Sequence, residues 1–218
     1  MKTMQIIDGL YVWPTPGGAY HAVSDTTTTP SRRLLRNILR TSSTAALTPE
    51  LVKKWCEEED ANQAMETIHR LQKLGWIQGF EQSFDAPDQP LEEILPSLLA
   101  GLSEDGKALL AEQQGFYLAS HGFPHETAEE LAALSADLMG LQDRYRELLL
   151  NNQDVGSEAW AVVDSGGCGK LGFWPLYIGE DRFVLVVSGI PHFNQPDFVT
   201  LIWVLMLRYS PLPGFKLK

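Results

Sequence analysis

The order of predicted elements in the second half of this chain constrains its fold more than any single motif does. A short apolar helix over 91–102 is followed by a tight hairpin, a long helix over 126–149, three further strands and a last helix over 197–209. The predicted strands cover 107–112, 116–120, 159–163, 172–178 and 183–188. Helices and antiparallel strands mixed along one segment predict an α/β (α+β) fold with a central antiparallel sheet. Such a layer offers a sheet edge and helix faces to a partner.

Local patterns in this half predict how its elements pack. The strands over 160–163 and 183–187 are continuously apolar, which predicts that both of their faces are covered. The last helix has no polar side between Phe198 and Leu207, so we expect it to be covered on more than one face. Gly140 inside the long helix predicts close packing against a neighbour, and Pro175 predicts an edge strand or a bulge. The long helix also carries large apolar residues on one broad face, namely Leu131, Leu134, Leu138, Leu141, Tyr145 and Leu148.

Composition restricts the class of partner. The chain has 218 residues, 44% of them hydrophobic, and a net charge of −11. This length fits two domains, and the negative charge opposes binding to nucleic acid and to anionic membrane. Cys56 and Cys168 have no metal-type spacing, and the N-terminus lacks the apolar stretch of a signal peptide. We therefore expect a cytoplasmic protein that does not associate with membranes.

The first half of the chain predicts a small helical domain. A segment over 1–30 ends in a Thr-rich linker; within it, 9–13 is either a strand added to a sheet edge or a surface segment. From 31 to 90 the pattern gives three helices and a strand over 76–80, with Thr48 and Asp60 as N-caps and Gly75 as a helix stop. This layout resembles a winged helix-turn-helix. The Pro-rich linker over 85–90 places the boundary, so 91–218 forms the next domain.

Motifs for catalysis and for metal binding are incomplete. The loop Gly166–Lys170 is similar to a phosphate-binding loop, but Leu171 takes the place of the required Ser or Thr and a strand follows, which indicates a hairpin turn. His121 and His125 are separated by Gly122 and Pro124, which favours a strand-to-helix turn over a metal site. No nucleophile and base stand at a recognisable spacing. The sequence therefore predicts no enzyme activity, no cofactor and no metal.

Three stretches carry a family resemblance. Gly115–Gly122 contains Leu-Ala-Ser at 118–120, the long helix is rich in small residues over 128–136, and 183–187 is the last strand. With the element order, these make residues 91–210 similar to the roadblock (dynein light chain) family. The resemblance implies a roadblock-like α/β sandwich that forms homodimers and scaffolds small Ras-like GTPases or other signalling proteins. The N-terminal winged helix-turn-helix-like domain departs from single-domain members.

The candidate partner-binding residues lie in the first half. They are Asn62, Glu66 and Arg70 on the exposed face of the third helix, with Trp76 and Phe80 on the strand that follows. We predict a non-enzymatic regulatory or scaffold protein acting through homodimerisation and protein–protein interaction. The alternative is a transcription regulator that binds DNA through the winged-helix-like domain and dimerises through the C-terminal domain.

The charges of this domain bear on the DNA alternative. Arg32, Arg33, Arg36 and Arg40 make the first helix basic, which favours DNA, whereas the acidic run over 57–60 precedes the reading helix and opposes it. Residues 31–90 carry eight basic and nine acidic side chains. Because DNA-binding domains are usually basic, this near-neutral balance favours protein docking.

Overall fold

The computed structural model describes residues 9–152 and 157–212. These residues form two compact units, one made of Met1–Asp88 together with Asn194–Lys218 and the other of Gln89–Phe193. Parts of the predicted segments, residues 1–8, 153–156 and 213–218, lie outside the described residues. The mixture of helices with an antiparallel sheet confirms the α+β class.

The first unit is mostly helical. Its elements are β1 (Tyr11–Pro14), α1 (Pro16–Val23), α2 (Pro30–Leu39), α3 (Pro49–Cys56), α4 (Ala61–Lys73), β2 (Ile77–Phe80) and α7 (Pro196–Tyr209). β1 pairs antiparallel with β2, with Tyr11 opposite Phe80. Of the two alternatives for residues 9–13, the structure therefore shows the strand that pairs in a sheet. The predicted caps are confirmed, since Thr48 accepts the amide of Leu51 at 3.2 Å and Asp60 accepts that of Asn62 at 2.8 Å.

Helix α1 was not predicted, because its first residues contain proline and two glycines. Thr15 caps it by accepting the amide of Gly18 at 3.3 Å and donates its own hydroxyl to the carbonyl of Gly75 at 2.7 Å. Pro16 occupies the first turn, where it costs no hydrogen bond. A Cβ at Gly18 would lie 2.0 Å from the carbonyl oxygen of Trp76. Glycine is needed here for close contact between two backbones and does not end the helix.

Helix α7 groups with the first unit, whereas the sequence assigns it to the segment 91–218. The reason is its packing against α1 and α2, where Phe198 lies beside Tyr20 with ring centroids 6.4 Å apart. Trp203 contacts the ring of Trp13 at 4.1 Å between centroids and donates its Nε1–H to the carbonyl of Thr41 at 2.7 Å. Nine of its side chains are buried, which confirms that α7 is covered on more than one face.

The second unit is a five-stranded antiparallel sheet with helices. Its elements are α5 (Leu91–Ala100), β3 (Ala108–Glu112), β4 (Tyr117–His121), α6 (His125–Arg144), a π-helical turn (Glu147–Asn152), β5 (Trp160–Val163), β6 (Gly169–Ile178) and β7 (Asp181–Ser188). The strand order is β4-β3-β7-β6-β5, so β4 and β5 are the two edges. Helix α6 packs on one face, and the core beneath it contains Leu109, Ala111, Ala132, Met139, Phe173, Val184 and Val186.

Several packing expectations change in this unit. Val162 and Val163 are 54% and 56% exposed, so the expectation that β5 is covered on both faces is wrong. β5 is an edge strand, and one of its sides has no neighbour among the described residues. Gly140 is exposed, and a Cβ built there would meet nothing within 4 Å, so no described residue of the chain packs closely against it.

Two further differences concern helix α6 and strand β6. The predicted helix over 126–149 is α-helical only as far as Arg144 and continues as the π-helical turn. Strand β6 lies inside the sheet, but β5 pairs with it only between Gly169 and Phe173. Pro175 therefore lies in a part of β6 that pairs with β7 alone. On the side where β5 no longer pairs, the missing N–H of proline costs no hydrogen bond between strands.

The burial of Trp203 generates a stability prediction. The side chain is 3% exposed and makes an internal hydrogen bond, so Trp203→Ala should lower the free energy of unfolding by about 3–5 kcal/mol. Trp203→Phe keeps most of the ring packing and loses the N–H donor, so its loss should be smaller. Denaturant unfolding of the full chain measures both. A loss below about 1 kcal/mol for the alanine variant would contradict this packing.

Candidate functional site

The predicted contact face of α4 is exposed. Asn62, Glu66 and Arg70 are all solvent-exposed and four residues apart, which aligns them in one stripe along the helix. The opposite face of α4 is buried through Ala64, Ile68 and Leu71. Local periodicity therefore predicts the exposure of these three side chains, and their contact with a partner stays a prediction.

The two aromatic candidates are only partly exposed. Trp76 stacks on His21, with ring centroids 4.0 Å apart and an interplanar angle of 26°. Phe80 packs edge-on against Phe84 at 5.3 Å, and Phe84 in turn packs against Trp13 at 5.5 Å. One face of Trp76 is thus covered by a residue from α1 that the sequence analysis missed, since 55 positions separate the two rings and no local pattern links them.

His21 stacks on Trp76 and also feels the charge of Arg70, a residue of the α4 stripe. Burial, and then the positive charge of Arg32, lowers the pKa of His21 to about 4. The charges of Arg36 and Arg70 act in the same direction, and that of Asp25 opposes them. Arg70 is therefore near enough to act on the ring that stacks on Trp76. Asn62 lies eight residues earlier on α4, about 12 Å along the axis. The structure brings Arg70 and Trp76 to one region and leaves Asn62 at the far end of the stripe.

The arginines of α2 do not form the basic face that DNA binding would need. Arg32 is buried and donates to the carbonyls of His21 at 2.9 Å and Thr27 at 2.7 Å. Arg36 donates to the carbonyls of Ala22 and Asp25, both at 2.7 Å. These carbonyls lie at and beyond the end of α1, where the helix leaves acceptors unsatisfied.

The other two arginines of α2 also bind within the fold. Arg33 donates to the carbonyl of Cys56 at 2.9 Å and pairs with Glu57 at 3.3 Å. Arg40 donates to the carbonyl of Ser210 and to the side chain of Asn37 at 3.3 Å. All four guanidinium groups thus bind acceptors of the protein itself, so the basic composition of α2 no longer supports a DNA-binding surface.

The loop between β5 and β6 has its amides occupied. The Asp164 carboxylate accepts the amides of Gly166 at 2.9 Å and Cys168 at 3.0 Å and pairs with Lys170 at 3.2 Å. The hydrogen bond from Cys168, followed by that from Lys170, lowers the pKa of Asp164. A phosphate would compete with this carboxylate for the same donors, and the loop is the predicted hairpin turn.

His125, one of the two histidines considered for a metal site, lies beside a tyrosine. His125 begins α6 with its Nδ1 2.7 Å from the Tyr117 hydroxyl. Across residues 9–152 and 157–212, no three His, Cys, Asp or Glu side chains are arranged to hold a metal. None of the helices in that part of the chain combines the length and the apolarity needed to cross a bilayer.

The sequence analysis misassigned the buried face of α6. The side chains that face the core are Ala128, Ala132, Ser135, Met139 and Gln142. Much of the predicted apolar face is instead solvent-accessible, with Leu134, Leu141, Tyr145 and Leu148 each between 36% and 47% exposed. We call these four residues, which run from α6 into the π-helical turn, the apolar flank of α6. Val162 and Val163 of β5 are further exposed apolar side chains of the second unit.

Polar contacts hold the end of α6 in place beside β5. Trp160 of β5 donates its Nε1–H to the Gln142 side chain at 2.9 Å, and Arg146 pairs with buried Glu158 at 2.8 Å. Tyr177 also donates to Glu158; burial, and then this hydrogen bond, raises the pKa of Tyr177 to about 12. The Trp160–Gln142 bond joins α6 to the edge strand, and the bonds of Glu158 join the segments that follow α6 and precede β5 to each other and to β6.

Arg182 adds a bond between the same helix and strand β7. Its guanidinium binds the Asp143 carboxylate through two hydrogen bonds, at 2.8 and 3.0 Å. A bidentate pair of this kind restricts orientation as well as distance. The rotation of α6 about its own axis is therefore set, and with it the direction in which the apolar flank points.

Comparison with known proteins gives weak similarities. No protein-family model matches the sequence, and no curated protein matches it either. Among solved structures, a Roadblock/LC7 domain from Streptomyces avermitilis matches with a TM-score of 0.35 and 12% identity, covering 55% of this chain and 93% of that one. MglB from Myxococcus xanthus matches with a TM-score of 0.32 and 16% identity, covering 55% and 90% respectively. Similarities this low carry no argument about binding or activity.

The depressed pKa of His21 predicts a pH-dependent stability. In the unfolded chain His21 has its ordinary pKa of 6.5, and in the folded chain burial lowers this pKa to about 4. Between pH 6.5 and pH 4, His21 is protonated in the unfolded state and neutral in the folded state. The free energy of unfolding therefore decreases as the pH is lowered from 6.5 to 4, and His21 causes no further decrease below pH 4. His21→Phe retains a ring against Trp76 and should reduce this loss of thermal stability. His69→Phe, at an exposed position of α4, is the control, and equal pH dependence of His21→Phe and wild type would contradict the prediction.

Proposed function

We propose that this chain is a non-enzymatic regulatory or scaffold protein that acts by homodimerisation and by binding another protein. The observation that carries the proposal is the surface made by the apolar flank of α6 and the free edge of β5. Its six exposed apolar side chains are Leu134, Leu141, Tyr145, Leu148, Val162 and Val163. Large apolar side chains left exposed in this number are typical of interaction sites.

A second copy of the chain is the proposed occupant of this surface. β5 has a free edge with apolar side chains and without the lysine or proline that commonly protects an edge from pairing. Two β5 strands related by a two-fold axis can pair antiparallel, which satisfies the amides and carbonyls on both edges. The apolar flank of α6 then packs beside the joined strands and removes its leucines from water.

The class of protein that the dimer binds is proposed from the resemblance of residues 91–210 to the roadblock family. That resemblance points to a small Ras-like GTPase or another signalling protein. The proposed contact surface on the first unit consists of Asn62, Glu66, Arg70, Trp76 and Phe80. In this proposal the winged-helix-like domain serves as a protein-docking module. DNA binding is not preferred, since the arginines of α2 bind carbonyls of the protein.

Light scattering of the full chain tests self-association. The expected mass at micromolar concentration is twice the 24.3 kDa of one chain. Leu141→Lys/Leu148→Lys places two charges on the apolar flank and should produce a monomer that keeps its helical circular dichroism, because both positions are already partly exposed.

The matched control replaces two comparably exposed apolar residues elsewhere. Leu74→Lys/Ile190→Lys adds the same charge at positions that are 50% and 58% exposed and outside the proposed interface, so its mass should stay that of the dimer. A monomeric wild type, or equal loss of the dimer in both double variants, would show that the apolar flank does not mediate self-association.

Charge reversal tests the proposed contact surface on α4. Arg70→Glu should weaken capture of a native partner from the host cell by about tenfold or more while leaving thermal stability near that of wild type, because the side chain is exposed. Lys54→Glu makes the same charge change on the exposed side of α3 and serves as the control. Quantitative co-precipitation measures both. Unchanged capture by the Arg70→Glu variant would show that the partner does not contact this face of α4.

A further inference from the structure

Strand β2 has a neighbouring strand on one side only. Among residues 9–152 and 157–212 it pairs with β1 and with no other strand. β1, in contrast, has neighbours on both sides. The amide of Val12 binds the carbonyl of Ala45 at 3.3 Å, and the amide of Leu47 binds the carbonyl of Leu10 at 3.1 Å. β2 is therefore the outer strand at this edge of the first unit.

The hydrogen bonds of β1 show which main-chain groups of β2 point outwards. In an antiparallel ladder the N–H and C=O of one residue point to the same side, and those of the next residue point to the other side. Val12 bonds away from β2, so Trp13 faces β2 and pairs with Gln78. Ile77 and Gly79 alternate with Gln78 and therefore point away from β1. No described residue forms a hydrogen bond with their main chain on that outer side.

These outward groups determine what kind of ligand fits the edge. Two N–H and two C=O groups alternate at the spacing of a strand, and the main chain of another extended segment satisfies all of them. A helix cannot do so, because its own main-chain groups are bonded internally. β2 also contains neither the charged residue nor the proline that commonly protects an edge from pairing.

Gly79 leaves space for a side chain of such a segment. It is exposed and does not have a positive φ, so its backbone conformation does not require glycine. A Cβ there would lie 3.3 Å from Cδ1 of Leu10, and the next nearest atoms belong to the same half-buried side chain. Glycine inside a strand often marks a close approach by another chain. A side chain directly opposite Gly79 can lie over it and contact Leu10.

The two ends of β2 differ in charge. The last turn of α4 lies at the first end, because the amide of Trp76 binds the carbonyl of Leu71 at 2.9 Å. This turn carries the exposed residues Arg70 and Lys73. Exposed Glu81 follows directly after the other end. A segment that runs antiparallel to β2 therefore complements these charges with a basic residue near its N-terminal end and an acidic residue near its C-terminal end.

We propose that the outer edge of β2 binds an extended segment of another protein as an added antiparallel strand. Apolar, β-branched side chains of the segment lie opposite Gly79 and Ile77, and its basic and acidic ends lie near Glu81 and Arg70. The inference rests on the proposed function, because this edge borders the contact surface proposed on the first unit. It adds the backbone conformation and the charge pattern of the bound segment.

The test uses the full chain and the fluorescein-labelled peptide Lys-Thr-Val-Thr-Val-Thr-Glu, whose valines are designed to lie opposite Gly79 and Ile77. Fluorescence anisotropy measures the Kd. N-methylation of both valine nitrogens, whose N–H groups face β2, should raise the Kd at least about tenfold. N-methylation of two threonine nitrogens, which face away, should change it less than about threefold. Exchanging the lysine and the glutamate of the peptide should weaken binding several-fold.

Variants of Gly79 test the same contact from the side of the protein. Gly79→Pro removes an outward N–H and keeps the pairing of Gln78 and Phe80 with β1. It should raise the Kd at least about tenfold at a thermal midpoint near that of wild type. Gly79→Ala keeps the N–H and should raise the Kd less than about threefold. In hydrogen exchange of wild type, saturating peptide should protect the amides of Ile77 and Gly79 and leave those of Gln78 and Phe80 unchanged.

Several results would overturn the proposal. They are absence of peptide binding, equal binding of the two methylated peptides, equal binding of the charge-exchanged peptide, and equal effects of Gly79→Pro and Gly79→Ala. If Gly79→Pro does not fold, the methylated peptides still decide the question on wild type. Light scattering separates this edge from self-association, since Gly79→Pro should keep the mass of wild type; a lower mass would show that a second copy occupies the edge. A wild-type monomer that shows these peptide differences would refute the dimer and retain the docking edge.

Discussion

The surfaces of this protein depend on how α6 packs on the sheet. Its buried side is made largely of small residues, including Ala128, Ala132 and Ser135, so the helix lies close to the strands. The pairs Trp160–Gln142 and Arg182–Asp143 then fix its rotation. With small residues facing inwards, Leu134 and Leu141 remain exposed on α6. The proposed dimer surface follows from that orientation.

Much of the fold was predictable because the signals are local. N-caps at Thr48 and Asp60, the helix stop at Gly75 and the alternation of strands and turns after residue 107 each act within a few residues. The exposure of Asn62, Glu66 and Arg70 follows in the same way from the apolar spacing on the buried side of α4. Sequence periodicity is sufficient wherever one face of an element is clearly more apolar than the other.

The failures have a common physical origin in contacts between distant residues. In α6 two faces compete, and the sequence favours the leucines over the alanines because size is visible in the sequence and closeness of packing is not. The arginines of α2 look like a basic surface until the carbonyls that they bind are known, such as those of His21 and Ala22. Gly18 looks like a helix breaker until the backbone of Trp76 is seen beside it. The covered face of Trp76 in the candidate site was missed for the same reason.

The central claim is that a second copy covers the free edge of β5. Hydrogen exchange of the full chain at low and at high protein concentration tests it most directly, because paired edge amides exchange only when the pairing opens. Those amides of Trp160–Val163 that point away from β6 should become protected as the protein concentration rises, while the amides that already bond to β6 and those of the turn at Gly166–Cys168 should not change. Exchange of the outward-pointing β5 amides that is fast and independent of concentration would contradict the dimer.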